Sequence, residues 1–356
     1  MTTPCEGSCQ DSIPHAPLAN ALGSPKVSVV LATYNYGRYL GGALESALAQ
    51  TISELEIIII DDGSTDETKQ VMVPYLGNAR IRYYDTEHQG QPAAKNAGIR
   101  LARAPLVAFL DADDLWLPTK LEKQLALFAA NPALGVVYSR RDLIDEQGRS
   151  FQFHQPDLPR GNVVAAMFRN NFLCFSSAVV RRHVLEEVGL FDENLALAID
   201  YDLWLRIARR YPFDFVDEPL VKYRTGHASL SRRTEERLKT AAAIMNRFLD
   251  HYGGREVLNP ALIRRAQAET YYEIALATRK RSRWSALPWY LRALRTMPAF
   301  GLAWQGLASL PLPEIMRRGL RLALGRPADW AVRPLREIPN PKSRRCPFSP
   351  LGPFRP

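Results

Sequence analysis

The chain is poor in cysteine and begins without the pattern of a secretory signal. Its 356 residues include four cysteines, at positions 5, 9, 174 and 346. This spacing provides neither a disulfide framework nor a two-pair zinc site, so we expect free thiols in a reducing compartment. The start has no basic stretch followed by an apolar run, which argues against secretion and favours a cytoplasmic protein.

Long apolar runs are also scarce. Residues 296–313 are uncharged, but they include Pro298, Pro311 and Pro313, which argues against a membrane-spanning helix. The segment is flanked by arginines and contains Phe300 and Trp304, a composition that would suit a helix lying in a membrane interface. The alternative is a pair of helices packed on their own domain.

Charge is distributed unevenly along the chain. Residues 232–356 contain 24 Lys and Arg against 9 Asp and Glu, whereas residues 1–231 contain 22 against 28. The pattern indicates a catalytic body joined to a region that meets an anionic surface, or simply arginine-rich solvated helices. No zinc, RNP or helix-turn-helix signature accompanies the basic residues, so nucleic acid is not the expected partner. We expect a cytoplasmic protein that associates peripherally with the inner face of an anionic membrane.

Alternating apolar runs and helical patterns predict an α/β fold. The fold expected is a doubly wound, mainly parallel sheet with helices on both faces, followed by a helical C-terminal extension. The predicted strands at the start are 27–32, 56–60, 81–84 and 106–110, and the predicted helices between them are 39–50, 65–75 and 93–102. The predicted units are a flexible leader (1–25), a catalytic domain (26–231), a helical region (232–338) and a proline-rich, basic, disordered tail (339–356).

Polar residues follow three of the predicted strands. They are Thr33, Tyr34 and Asn35; Asp61 and Asp62; and Asp111, Asp113 and Asp114. Ligands of doubly wound sheets bind beyond the carboxyl ends of the strands, so we expect these side chains to converge on one site. Three neighbouring carboxylates are typical of a Mg or Mn site, in which substrate phosphates complete the coordination. The alternative is that Asp113 or Asp114 caps a helix that begins at Leu115.

Four segments carry a family resemblance. They are VSVVLATYNYGRYL (27–40), EIIIIDDGSTDET (56–68), GQPAAKNAGI (90–99) and LDADDLW (110–116). In order and spacing they resemble the family 2 glycosyltransferases, over roughly residues 26–231. The resemblance implies a GT-A fold and inverting transfer of a sugar from a nucleotide-diphosphate sugar to an acceptor hydroxyl.

The resemblance also implies roles for individual residues. Donor-binding roles fall on Ala32, Thr33, Tyr34, Asp62, Lys95, Asp111 and Arg224, and metal-binding roles on Asp111, Asp113, Asp114 and His227. The stretch IDYDLWLR (199–206) matches the segment that supplies the catalytic base, with Ile199 in place of the usual Glu. Asp200 is therefore the expected base. Asp202 is the competing candidate, unless it pairs with Arg206 four residues on.

The resemblance favours a glycan or lipid-linked acceptor in envelope polysaccharide or glycolipid synthesis. Two other functions remain open from the residues alone. A nucleotidyltransferase uses a related sheet and carboxylate-bound metal, although it usually has a glycine-rich basic loop after the first strand. A non-catalytic module would use the acidic residues as helix caps and the basic region for docking on a membrane.

Overall fold

The computed structural model describes residues 24–151, 155, 157–226 and 233–310. Predictions for leader residues 1–23, for the tail 339–356 and for His227 concern residues outside these ranges.

The described residues form an α/β fold in which strands and helices alternate through the first two thirds of the chain. The strands are β1 (Val27–Thr33), β2 (Leu55–Asp61), β3 (Ile81–Asp85), β4 (Leu106–Phe109), β5 (Leu115–Trp116), β6 (Val136–Ile144), β7 (Ser150–Phe151), β8 (Val179–Arg181) and β9 (Phe213–Arg224). The helices are α1 (Gly37–Leu48), α2 (Thr68–Met72), α3 (Gln91–Leu101), α4 (Lys120–Ala130), α5 (Val164–Arg169), α6 (Arg182–Val188), α7 (Ile199–Ala208), α8 (Thr234–His251), α9 (Gly254–Val257), α10 (Pro260–Arg279), α11 (Leu287–Thr296) and α12 (Gly301–Ala308).

The strands form one mixed sheet. Its order over the described residues is β3-β2-β1-β4-β8-β6-β9-β5, and β7 pairs with β6. Strands β1 to β4 run parallel, as do β6 and β9, whereas β8 is antiparallel to both of its neighbours. The predicted α/β sheet of mainly parallel strands is therefore confirmed for the part that begins the chain.

Strand β2 shows why this sheet is buried on both faces. All of its seven residues are buried. Ile58 and Ile60 enter a core on one face, and Ile57 and Ile59 enter a second core on the other. Helix α3 packs closely over the first of these faces, because a Cβ at Gly98 would lie 2.5 Å from Val30 Cγ1. Glycine at this position therefore fixes how near α3 lies to the strand ends.

The C-terminal helices pack on the rest of the molecule. Ile244, Met245 and Phe248 of α8 belong to the same core as Ile58 and Phe109 of the sheet. A separate cluster, which includes Tyr290 and Trp304, joins α10, α11 and α12. Residues 296–310 thus pack on their own helices, as the alternative to an interfacial segment predicted. Within the described part of the chain, every helix is too short or too polar to cross a membrane.

One alternative left open by the sequence is wrong. Leu115 and Trp116 form β5, which pairs with β9, so neither Asp113 nor Asp114 caps a helix there. Trp116 is buried, and its indole Nε1–H donates to the Ser176 carbonyl at 2.7 Å. This bond ties β5 to the 3-10 turn over Phe175–Ser177 that precedes β8.

Candidate active site

A cavity of about 850 Å³ opens at the carboxyl ends of β1, β2 and β4. The lining residues at and after the strand ends, here called the sheet wall, include Ala32, Thr33, Tyr34, Asp62, Lys95, Asp111 and Asp113. The lining residues from α7, α8 and α10, here called the helix wall, include Asp200, Arg237, Leu238, Ala241, Met245, Thr270 and Glu273. Polar residues from three strand ends therefore converge on one cavity, as the sequence pattern predicts.

Asp62 organises the loop that follows β3. Its buried carboxylate accepts hydrogen bonds from the backbone N–H groups of Gln89 at 2.7 Å and Gly90 at 2.9 Å. His88 Nδ1 lies 2.9 Å from the same carboxylate. The turn that brings Asp62 here needs Gly63, because its φ is +75° and a Cβ would lie 2.9 Å from the His88 backbone nitrogen.

An aromatic pair lies at the edge of the sheet wall. The rings of Tyr34 and His88 stack with their centroids 4.1 Å apart and their planes at 23°. Tyr34 is 42% exposed, so the pair offers a flat surface to a planar ligand. His88 was not among the residues predicted from the sequence. His88 follows β3, the third strand, so extending the search for polar residues after strand ends to this strand would have found it.

Lys95, which is buried, and Asp111, which is half-buried, form an ion pair on the sheet wall. Lys95 Nζ lies 2.8 Å from Asp111 Oδ1 and 3.6 Å from the centroid of the Phe175 ring. Burial raises the pKa of Asp111, the charges of Asp113 and Asp200 add to this effect, and Lys95 opposes it. The Lys95 ammonium group therefore stabilises the ionised form of Asp111, which burial alone would disfavour.

Asp113 and Asp114 differ in their surroundings. Asp113 lines the cavity, and its charge contributes, after burial, to raising the pKa of Tyr36. Asp114 is fully buried behind the wall, where its carboxyl accepts hydrogen bonds from the Ser176 hydroxyl and the Arg224 backbone N–H. Burial, followed by the charges of Asp113 and Asp111, holds the pKa of Asp114 well above its ordinary value. Asp114 is thus placed to fix the loop and does not line the cavity.

Arg224 also acts behind the wall. Its guanidinium donates to the backbone carbonyls of Asp113, Asp145 and Glu146 at 2.8 to 3.0 Å. The side chain is buried and does not line the cavity, so the structure does not support the predicted donor contact. The physical reason is that β9 continues to Arg224, which brings this residue against the Asp113 loop instead of the cavity. His227, predicted as a metal ligand, lies outside the described residues.

Asp200 faces the sheet wall from the first turn of α7. Asn171 Nδ2 donates to its carboxylate at 2.8 Å. Asp202, the competing candidate, is 2% exposed and lies 2.9 Å from Arg206, the pairing that its alternative interpretation predicts. It also pairs with Arg247 of α8. Of the two carboxylates only Asp200 lines the cavity.

The helix wall contains residues that the sequence did not single out. Arg237 and Glu273 face the cavity from α8 and α10, beyond the segment that resembles a known family. Burial lowers the pKa of Arg237, and the nearby charge of Asp200 opposes this. Asn171 lies just after α5, and Arg237 and Glu273 lie on α8 and α10. None of the three belongs to a motif, so their positions follow from how these helices pack.

Sequence comparisons connect the chain with glycosyltransferases. A profile described as "Glycosyl transferase family 2" matches residues 28–189. A Rickettsia typhi protein described as an uncharacterized glycosyltransferase is 30% identical over 240 residues, which cover 66% of this chain and 75% of the relative. A Rickettsia felis protein with the same description is 33% identical over 223 residues, which cover 60% of this chain but only 37% of that relative.

Solved structures share the fold. Residues 1–349 of Staphylococcus aureus TarS in complex with UDP-GlcNAc match with a TM-score of 0.57 and 17% identity, over 77% of this chain and 82% of that one. A mannosyltransferase of Pyrobaculum calidifontis in complex with GDP-Man and Mn²⁺ matches with a TM-score of 0.53 and 21% identity, over 85% and 81%. These likenesses confirm the predicted GT-A fold.

Proposed function

The chain belongs to glycosyl transferase family 2, and on that premise we propose that it transfers a sugar, with inversion, from a nucleotide-diphosphate sugar to an acceptor hydroxyl. The observation that carries the proposal is that Asp200 lines the same cavity as the Lys95–Asp111 pair and the Tyr34–His88 stack. The family membership favours glycosyl transfer over nucleotidyl transfer and over a non-catalytic module.

The donor is assigned to the sheet wall. The Tyr34–His88 surface would stack against the nucleotide base, and Asp62 would orient this loop through its bonds to Gln89 and Gly90. Lys95 would place positive charge beside the diphosphate. Asp111 would accept hydrogen bonds from ribose hydroxyls, as acidic residues do in other nucleotide-binding sheets.

Asp200 is assigned as the general base. Its carboxylate would take the proton of the acceptor hydroxyl while that oxygen bonds to the anomeric carbon and the nucleoside diphosphate leaves with the electrons of the broken C–O bond. Asn171 would orient the carboxylate through its 2.8 Å hydrogen bond. A single displacement of this kind inverts the anomeric centre and forms no covalent sugar–enzyme intermediate.

The sheet wall fits a divalent metal held partly by substrate. No group of three or more His, Cys, Asp and Glu side chains in the described ranges is arranged to hold a metal ion. Asp111 and Asp113 both line the cavity, and the charge of Asp113 raises the pKa of Asp111, as expected of carboxylates that a cation would relieve. Mg or Mn can bind through one or two carboxylates and substrate phosphates, so Asp113 and Asp111 would hold the ion. When bound, such an ion supplies positive charge to the leaving diphosphate.

A donor screen tests this function. The full chain is incubated with UDP-GlcNAc, GDP-mannose and other nucleotide sugars plus Mn²⁺, and nucleotide release is measured with and without EDTA. We expect release from at least one donor and its loss in EDTA, with restoration by added Mn²⁺. Release from none of the donors would contradict sugar transfer, and full activity in EDTA would contradict the metal. The anomeric configuration of the product, read by NMR, tests inversion.

Envelope glycan synthesis at an anionic membrane is the proposed setting. The membrane is supported by an exposed basic turn after α10, in which Lys280, Arg281 and Arg283 precede Trp284, itself 51% exposed. Indole and basic side chains together suit the headgroup region of anionic lipids. In a flotation assay the protein should rise with phosphatidylglycerol vesicles at low salt and not with phosphatidylcholine vesicles. Equal behaviour with both lipids would contradict the proposal.

A further inference from the structure

The helix wall is built by a part of the chain that the family match does not reach. The match ends at residue 189, whereas α8 and α10 begin at Thr234 and Pro260. Leu238, Ala241 and Met245 are spaced three and four residues apart on α8, so they share one face of that helix. Thr270 and Glu273 lie one turn apart on α10. Two helices therefore present an apolar strip beside a polar one.

Glu273 is the residue of this wall that the fold itself does not explain. Its side chain lines the cavity, and no hydrogen bond or ion pair to it is present within residues 24–310 as far as they are described. Burial, with a smaller contribution from Glu269, raises the pKa of Glu273 from 4.5 to about 7. Glu273 is half-buried, and a carboxylate that faces a cavity without a protein partner is open to a hydrogen bond from a ligand.

The charges of the helix wall argue against an anionic ligand. Arg237 faces the carboxylate of Asp200. Arg233, at the start of α8, pairs with Glu236, and Arg169 also has an interaction partner. Each of these arginines thus has a protein partner or a counter-charge, and Glu273, once ionised above its pKa of about 7, would repel a phosphate or carboxylate placed beside it. A neutral ligand with many hydroxyl groups needs no free positive side chain and is not repelled by Glu273.

We propose that the helix wall is the acceptor subsite and that it binds a neutral saccharide, one hydroxyl of which donates a hydrogen bond to Glu273. The strip of Leu238, Ala241 and Met245 would pack against the C–H face of the same sugar, as apolar surfaces do in mostly apolar ligand pockets with a few placed polar groups. This inference rests on the proposed transfer to an acceptor hydroxyl. It assigns acceptor specificity to α8 and α10.

The test compares acceptor and donor kinetics in the full chain. Nucleotide release from the donor identified by the screen is measured alone and with 4-nitrophenyl glycosides, using the neutral glucoside, galactoside and N-acetylglucosaminide and the anionic glucuronide. The variants are Glu273→Ala, Glu273→Gln and, as a matched control, Glu256→Gln, whose carboxylate pairs with Arg209 on the surface.

At pH 8, where Glu273 is ionised, we expect a neutral glycoside to stimulate release and Glu273→Ala to raise the KM for that glycoside about tenfold, as for loss of a hydrogen bond to a charged group. Glu273→Gln should have a smaller effect. Donor KM, kcat and acceptor-free hydrolysis should stay within twofold in both variants, and Glu256→Gln should match wild type. An unchanged acceptor KM in Glu273→Ala, a change confined to donor KM, or stimulation by the glucuronide alone or by none of the glycosides would overturn the inference. Failure of wild type to release nucleotide from any donor would instead remove the proposed function, and this inference with it.

Discussion

The two walls of the cavity differ in how their charged side chains are held. On the sheet wall, Asp62 is fixed by two backbone N–H groups and Lys95 by Asp111, so the charged atoms are in place before any ligand binds. On the helix wall, Asp200 has a hydrogen bond from Asn171, whereas Glu273 has no hydrogen bond from any described residue. The comparison indicates a preorganised donor side and an acceptor side whose polar groups are completed by substrate.

Substitution of Asp200 should have the largest effect and would sharpen this comparison. In Asp200→Asn the proposed base is lost, so turnover should fall about 10³-fold, within the usual range for general base catalysis. Donor affinity should not fall by more than twofold, because Asp200 has no proposed contact with the donor and its charge only adds to the repulsion on Asp111. Steady-state rates and calorimetric titration of the donor check the two parts. Asp250→Asn, which alters an exposed pair with Arg255, serves as the control. Turnover within tenfold of wild type would reject Asp200 as the base.

Substitution of Lys95 should lower donor affinity, the property that substitution of Asp200 is expected to spare. Lys95→Met removes positive charge beside the donor diphosphate and leaves Asp111 without its ion pair, so we expect donor affinity to fall roughly 10- to 100-fold. Titration calorimetry with the donor and Mn²⁺ measures this. Lys69→Met, which breaks the exposed pair with Asp85, should bind like wild type. If both variants bind the donor normally, Lys95 has no donor role.

The smallest effect is expected from Glu273→Gln on the helix wall, and it concerns the pH dependence of the free energy of unfolding. Folding raises the pKa of Glu273 from 4.5 to about 7, so the folded state binds more protons than the unfolded state between these values. The free energy of unfolding of wild type should therefore fall as pH rises through this window. Glu273→Gln should remove that loss and stabilise the protein by about 1–3 kcal/mol at pH 8, and much less at pH 4.5. Denaturant unfolding at both pH values measures the difference, and an equal effect at both would contradict the shifted pKa.

Much of the sheet wall could be predicted from the sequence. Buried strands and the polar residues after them are local signals, and strand ends of a parallel sheet meet at one edge whatever the detailed packing. Thr33, Asp62 and Asp111 were found in this way. Local signals do not show which of several neighbouring carboxylates turns inward. Asp114 was therefore grouped with Asp113, although its hydrogen bonds to Ser176 and Arg224 hold it behind the wall.

The helix wall could not be predicted in the same way. Asn171 and Glu273 are separated by about a hundred residues and reach the cavity through helix packing, which no short pattern encodes. Arg224 shows the reverse case. The family resemblance placed it at the donor, but the length of β9 sets its guanidinium on three backbone carbonyls.

Donor affinity measured across both walls tests the division of roles most directly. Calorimetric titrations of the identified donor with Mn²⁺ are compared for wild type, Lys95→Met and Glu273→Ala. The donor-side and acceptor-side assignments predict a loss of affinity in Lys95→Met and affinity within twofold of wild type in Glu273→Ala. A loss of donor affinity in Glu273→Ala as large as that in Lys95→Met would contradict them.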